Sequence, residues 1–77
     1  MSITVKFFAS LRERVGHSEA VVDAAGPLTA RDIWARVAGT QPMPPNTLVA
    51  VNLEYTAVDR PVRDGDEVAF FPPVTGG

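Results

Sequence analysis

Residues 64 to 77 of the chain read DGDEVAFFPPVTGG, a turn, a strand and a tail in succession. The acidic residues and the glycine at the start are typical of a tight turn. In the strand that follows, residues 68 to 71, the two-residue period places Val68 and Phe70 on the buried face and Phe71 on the outer face. The two prolines after it lack the amide N–H that a β-ladder requires, so we expect the strand to end before them.

The tail, residues 72 to 77, ends in two glycines. Fully extended at about 3.3 Å per residue, it spans roughly 20 Å, which is enough to enter the active site of another protein. Gly76 and Gly77 carry no side chain and accept any backbone dihedral angle, so the terminal carboxylate can pass through a narrow channel. The sequence therefore predicts a folded domain in residues 1 to 71 that presents a reactive C-terminus.

The first strand carries a second exposed phenylalanine. Ile3, Val5 and Phe7 alternate with polar residues and face the core, which places Phe8 on the outer side. If the first and last strands are neighbours, Phe8 and Phe71 form one apolar patch at the root of the tail. Such patches often mark interfaces, although loops of the chain itself could also shield the pair.

The middle of the chain predicts one main helix. Thr29 and Asp32 have the spacing of a capping box, and the apolar residues that follow recur every three or four positions. Gly39 can terminate the helix. The helix should lie across a sheet, and its spacing favours partial burial of Trp34 in the core over a role as an interface anchor. The residues that share the apolar face are Ala30, Ile33, Trp34 and Val37.

Shorter elements complete the pattern. Ser10 and Glu13 have the spacing of another capping box, which predicts a single helical turn through Val15 with Gly16 as its left-handed stop. β-Branched and small apolar residues bounded by turn residues indicate further strands at 19–23, 48–52 and 55–58. This order predicts an α+β fold, a mixed sheet of about five strands with the main helix packed on one face. Terminal strands side by side would make it a β-grasp.

Composition excludes several functions. With 77 residues the chain suits one domain, and a net charge of -2 with scattered basic residues argues against nucleic acid binding. The absence of cysteine excludes disulfides and thiolate metal sites, and His17 has no second histidine to share a metal. Asp64, Asp66 and Glu67 favour a turn over a cation site, so no metal site is predicted. The N-terminus lacks an apolar run, which favours a cytoplasmic protein without a membrane segment.

Several segments carry a resemblance to a known family. Residues 64 to 77, together with KFFA at 6–9, LRE at 11–13 and AVN at 50–52, closely resemble the small subunit of molybdopterin synthase, the MoaD family of ubiquitin-like sulfur carriers. The resemblance covers most of the chain and is weakest in the proline-rich segment 40–46. It implies a ubiquitin-like β-grasp fold.

The resemblance also implies a chemistry for the C-terminus. A ubiquitin-activating-type adenylating enzyme would join the Gly77 carboxylate to AMP, and a sulfur donor protein would convert the acyl adenylate to a thiocarboxylate. Activation is needed because a carboxylate is a poor acyl electrophile, whereas AMP is a good leaving group. The tail would then enter the large subunit of molybdopterin synthase and deliver sulfur to cyclic pyranopterin monophosphate. No permanently bound cofactor is implied.

The resemblance further implies the partners. Catalytic side chains would belong to the large subunit, in a heterotetramer of two small and two large subunits. Gly77 would carry the sulfur and Gly76 would let the tail thread. The contact residues follow from the strand period and the projecting tail rather than from the resemblance, and they are Phe8, Phe71, Pro72, Pro73, Val74 and Thr75.

Three other functions are compatible with the same features. The chain could be the thiazole-pathway sulfur carrier of thiamine synthesis, although the paired aromatic residues and prolines before the tail favour molybdopterin. It could be a ubiquitin-like protein modifier that forms an isopeptide bond with a lysine amine. It could also be a noncovalent binding module whose tail has no chemical role.

Overall fold

The computed structural model describes residues 2 to 73 and shows an α+β fold. In chain order, the elements are β1 (Ser2–Phe7), α1 (Ala9–Val15), β2 (Glu19–Asp23), β3 (Leu28–Thr29), α2 (Ala30–Val37), β4 (Leu48–Val51), β5 (Glu54–Thr56), β6 (Pro61–Val62) and β7 (Glu67–Phe71).

The main sheet places the first and last strands of the chain side by side. Its five strands lie in the order β2-β1-β7-β4-β5, and β3 and β6 form a separate two-stranded sheet. β1 runs parallel to β7, with Val5 beside Val68 and Phe7 beside Phe70, whereas the other neighbours are antiparallel. This mixed sheet with parallel terminal strands is the β-grasp arrangement, which confirms the predicted fold class.

Helix α2 covers one face of the sheet and closes the core around a cluster of aromatic rings. Trp34 is only 3% exposed, so its burial is more complete than the sequence predicts. Its ring packs edge-on against Phe7 and Phe70, at centroid distances of 5.6 and 5.1 Å. The indole N–H donates a hydrogen bond of 2.8 Å to the carbonyl of Gln41. The proline-rich connection after the helix is thereby attached to the core.

The start of α2 follows the predicted capping box. The Thr29 hydroxyl accepts a hydrogen bond from the Asp32 amide at 3.2 Å, and the Asp32 carboxylate accepts one from the Thr29 amide at 3.0 Å. The latter hydrogen bond is the main cause that lowers the pKa of Asp32 below its usual range. At the other end Gly39 has a positive φ of 63°, as expected for the residue that turns the chain away.

The start of α1 differs from the prediction. The helix begins at Ala9, and Phe8 occupies its N-cap position without a side-chain hydrogen bond, so the Ser10 and Glu13 capping box is wrong. The Phe8 amide still donates to the Phe70 carbonyl at 3.2 Å, which extends the strand pairing up to the helix. Because the helix follows at once, Ser10 already lies within its first turn. Gly16 adopts the predicted left-handed conformation with φ 95°.

The small sheet of β3 and β6 was not predicted. Each strand has two residues, and Leu28 pairs with Val62. So short a strand leaves no periodic pattern in the sequence. The small sheet nevertheless contributes to the core, because Val62 is only 2% exposed.

Candidate functional site

Phe8 and Phe71 form the predicted aromatic pair at the root of the tail. Their rings stack with centroids 4.6 Å apart and planes 6° from parallel. Phe8 is 40% exposed, and Phe71 is half-buried. Pro72 and Pro73 continue directly from β7 and are also half-buried. The strand period thus predicted correctly that both phenylalanines lie on the face opposite α2.

A shallow apolar depression extends from this pair across the open face of the sheet. Its floor contains Ala50 and Ala69, which lie directly opposite each other in the pairing of β4 and β7. The two alanines are 5% and 8% exposed although α2 covers the other face, because larger side chains surround them. The depression has a volume of about 220 Å³ and is lined by Phe8, Ala50, Leu53, Tyr55, Glu67, Ala69 and Phe71. We call it the open-face depression.

Sequence reasoning missed two large residues of this surface. Tyr55 is 70% exposed and its ring centroid lies 6.0 Å from that of Phe71. Leu53, in the turn between β4 and β5, is 90% exposed. Tyr55 pairs with Ala50, so it could have been found by extending the two-residue period across the neighbouring strands. Leu53 lies outside any strand, and no periodicity reveals it.

The charges at the edge of the depression neutralise each other. Lys6 Nζ lies 3.0 Å from Glu67 Oε1 on the adjacent strand. The pKa of Lys6 is raised above its usual value. The main cause is the hydrogen bond to Glu67, and the second is the negative charge of Glu67. A partner that covers this surface therefore meets an apolar floor beside an ion pair whose charges already balance.

The acidic residues of the turn before β7 accept hydrogen bonds from other residues of the domain. Asp66 accepts hydrogen bonds from the Arg63 amide at 2.8 Å and from the Asn52 side chain at 2.9 Å. Both hydrogen bonds lower the pKa of Asp66, and the one from Arg63 has the larger effect. Asp64 accepts a hydrogen bond of 2.7 Å from the Ser2 amide. These contacts support the turn interpretation. Within residues 2–73 no group of three or more side chains is placed to hold a metal ion.

His17 also has neighbours within the fold. Its ring stacks on Phe7 with centroids 5.6 Å apart, and its Nε2 atom lies 3.3 Å from the Val37 carbonyl oxygen. These contacts join the loop after α1 to the end of α2. They give the residue a structural role in the part of the chain that the structure describes.

The chemically active end predicted from the sequence lies beyond the described residues. Val74, Thr75, Gly76 and Gly77 all fall there. The structure shows the surface from which the tail begins, and the roles of these four residues stay predictions. None of the helices in the described part of the chain is long and apolar enough to cross a membrane.

Sequence comparison shows the family. The chain is 42% identical to the molybdopterin synthase sulfur carrier subunit of Escherichia coli (strain K12), over 97% of this chain and 99% of the relative. The model of the ThiS family matches residues 5–77. The chain belongs to the ThiS family. The match to the family model includes the C-terminal glycines, so the similarity of this ThiS family member to its family extends to the predicted reactive end.

Solved structures share the fold of this ThiS family member. SAMP1 from Haloferax volcanii is 30% identical, with a TM-score of 0.76 and coverage of 100% of both chains. A complex of subunits 1 and 2 of the molybdopterin-converting factor from Helicobacter pylori 26695 contains a chain that is 22% identical, with a TM-score of 0.65 and coverage of 100% of both chains. At that identity the second likeness concerns the fold alone.

Proposed function

We propose that this chain is the sulfur carrier subunit of a molybdopterin synthase. The observation that carries the proposal is the 42% identity to a named carrier subunit over 97% of the chain. The match of the family through residue 77 adds that the glycine tail is part of the shared pattern. The described domain then serves to present residues 72 to 77 to other proteins.

The chemistry of the carrier takes place at Gly77. A ubiquitin-activating-type enzyme transfers AMP from ATP to the terminal carboxylate and releases pyrophosphate. Sulfide supplied by a sulfur donor protein then attacks the acyl carbon and breaks its bond to the AMP phosphate oxygen, which releases AMP and leaves a thiocarboxylate on Gly77. Gly76 lets the tail thread through the active sites because it has no side chain. This sequence of steps requires ATP, and it agrees with the cytoplasmic location predicted from the sequence.

The sulfur is next delivered inside the large subunit. The tail enters that subunit with Val74 and Thr75 in the entry channel, and the thiocarboxylate sulfur bonds to cyclic pyranopterin monophosphate. Water then breaks the bond between this sulfur and the acyl carbon, which returns Gly77 as a carboxylate. The large subunit covers Phe8, Phe71 and the open-face depression, in an assembly of two small and two large subunits. The support for this placement is the exposed aromatic pair directly before the tail.

Phe71→Ala should weaken binding to the large subunit by about 1 to 3 kcal/mol, the range expected for an interface aromatic residue. Thermal stability should change little, because the side chain lines the open-face depression, opposite the core, and stacks on Phe8. Titration calorimetry with the purified large subunit measures the affinity. Val21→Ala is the matched control, since Val21 is apolar and 65% exposed but lies on β2, away from the depression.

Reconstitution tests the proposed function as a whole. The purified chain is incubated with the activating enzyme, ATP and the sulfur donor, and then with the large subunit and cyclic pyranopterin monophosphate. The proposal predicts a thiocarboxylate in the first step and molybdopterin in the second. Formation of the thiocarboxylate without molybdopterin, in the presence of an active large subunit, would instead favour a carrier for another pathway such as thiazole synthesis.

A second candidate function is protein modification. The likeness to SAMP1, a small archaeal modifier protein, favours it. A modifier uses the same activated Gly77 but transfers it to a lysine amine. Immunoblots of cells that express the tagged chain distinguish the two, because a modifier gives a ladder of conjugates and a dedicated carrier gives a single band.

A further inference from the structure

The turn between β4 and β5 holds a leucine in an unfavourable backbone conformation. Asn52 and Leu53 are its two central residues, with φ angles of 51° and 71°. Hairpin turns with two positive φ angles favour Asn followed by Gly. Asn52 fits this preference, whereas leucine at a positive φ brings its Cβ too close to the backbone.

Three hydrogen bonds attach this turn to the start of β7. The Asn52 amide donates to the Glu67 carbonyl at 2.8 Å, and the Glu67 amide donates to the Asn52 side-chain oxygen at 3.0 Å. The Asn52 side-chain nitrogen also donates to Asp66 at 2.9 Å. These bonds fix the direction of the turn and therefore the direction in which Leu53 projects.

Packing within the domain does not explain the leucine. Its side chain is 90% exposed, the largest exposure among the big apolar residues of the described chain. A glycine or asparagine would relieve the backbone conformation without uncovering any core. Because the residue combines an unfavourable conformation with an exposed apolar side chain, its contribution is best sought outside the folded domain.

Leu53 forms a wall of the open-face depression. The volume of about 220 Å³ is below the roughly 300 to 1,000 Å³ typical of small-molecule sites, so the depression suits one apolar side chain of a protein partner. Such a side chain would lie over Ala50 and Ala69, with Leu53 on one side and the Phe8 and Phe71 pair lining the same space. We take the occupant to be the protein that receives the tail, because Phe71, which lines the depression, is the last residue before the tail.

We propose that Leu53 is a partner-binding residue, held out by the Asn52 turn to pack against an apolar side chain that the large subunit inserts into the open-face depression. This inference rests on the proposed function. It assigns to Leu53 a contribution to binding that is separate from folding. A carrier with a polar residue or glycine at this position would engage the same large subunit less tightly.

Leu53→Gly tests the inference because it should change binding and stability in different directions. Affinity for the large subunit should fall about tenfold, since part of the contact is lost. The melting temperature should be equal to or higher than that of the unsubstituted chain, since glycine accepts the positive φ. Leu53→Asn should behave in the same way, and Leu53→Met, which keeps an apolar side chain, should bind within about threefold of the unsubstituted chain.

The outcomes separate the inference from the proposed function. Normal affinity of Leu53→Gly, measured by titration calorimetry, would overturn the role of Leu53 while leaving the carrier function intact. Lower melting temperatures for both Leu53→Gly and Leu53→Asn would show a structural residue and overturn it as well. Failure of the unsubstituted chain to bind the large subunit would overturn the proposed function and this inference together.

Discussion

Deletion of Gly77 should abolish sulfur transfer and leave the fold unchanged. The truncated chain still ends in a carboxylate, on Gly76, but that group is set back by about 3.3 Å from the position that the activating enzyme requires. Reactions of this kind depend on placement of the reacting atoms to within an ångström or so. We therefore expect no thiocarboxylate and no molybdopterin in the reconstituted reaction.

Binding of the truncated chain provides the control for this deletion. The proposed docking residues Phe8, Phe71 and Leu53 lie within the described domain and are retained. The truncated chain should therefore melt normally and still bind the large subunit, so the loss of transfer cannot be attributed to unfolding. Sulfur delivery at the normal rate by the truncated chain would contradict the role assigned to Gly77.

Phe70→Ala should destabilise the domain by about 3 to 5 kcal/mol, the cost of truncating a buried phenylalanine to alanine. Phe70 is fully buried and packs against Phe7 at 5.6 Å and Trp34 at 5.1 Å between ring centroids. Small domains have a total stability of about 5 to 15 kcal/mol, so this single change would leave the protein marginally folded.

Denaturation monitored by fluorescence measures this effect, since Trp34 is the sole tryptophan of the chain and lies in the core. Phe71→Ala is the matched control, because it removes the same side chain from the next residue on the opposite face. The two variants should differ by several kcal/mol in the free energy of unfolding. Equal destabilisation by both would show that the two faces of β7 are assigned wrongly.

Local patterns in the sequence predicted the main elements of the fold. The alternation in β1 and β7 gave the correct buried faces, because only one side of each strand can pack against α2. Thr29 and Asp32 marked the start of α2, since their reciprocal hydrogen bonds involve residues only three positions apart. These features can be predicted from the sequence because they depend only on residues close to one another along the chain.

Features of the fold that depend on residues distant in the sequence were either not predicted or predicted at the wrong position. The pairing of β3 with β6 joins Leu28 to Val62 and Thr29 to Pro61, which are 34 and 32 positions apart. Two residues in each strand are too few to show a strand period. The Phe8 amide bonds to the Phe70 carbonyl, 62 residues later in the chain, so the strand pairing continues to the residue directly before α1. The capping spacing of Ser10 and Glu13 is a local preference that this longer-range contact overrides.

The same distinction applies to the candidate site. Phe8 and Phe71 could be predicted because each follows from the period of its own strand. The two-residue period could also have indicated Tyr55, once β4 and β5 are taken as neighbours. The floor of Ala50 and Ala69 depends on the register between β4 and β7, and Leu53 lies in a turn, so the sequence pattern specifies neither. The tail was recognised from its composition, and its chemistry follows from resemblance to the family.

The most direct test of the carrier function is the intact mass of the native chain, purified from a host with active sulfur transfer. The account predicts a species heavier by one oxygen-to-sulfur exchange, with fragmentation placing the change on Gly77. The same preparation from a host without the sulfur donor should show only the unmodified mass. Unmodified protein from both hosts, with the activating enzyme present and active, would contradict the account.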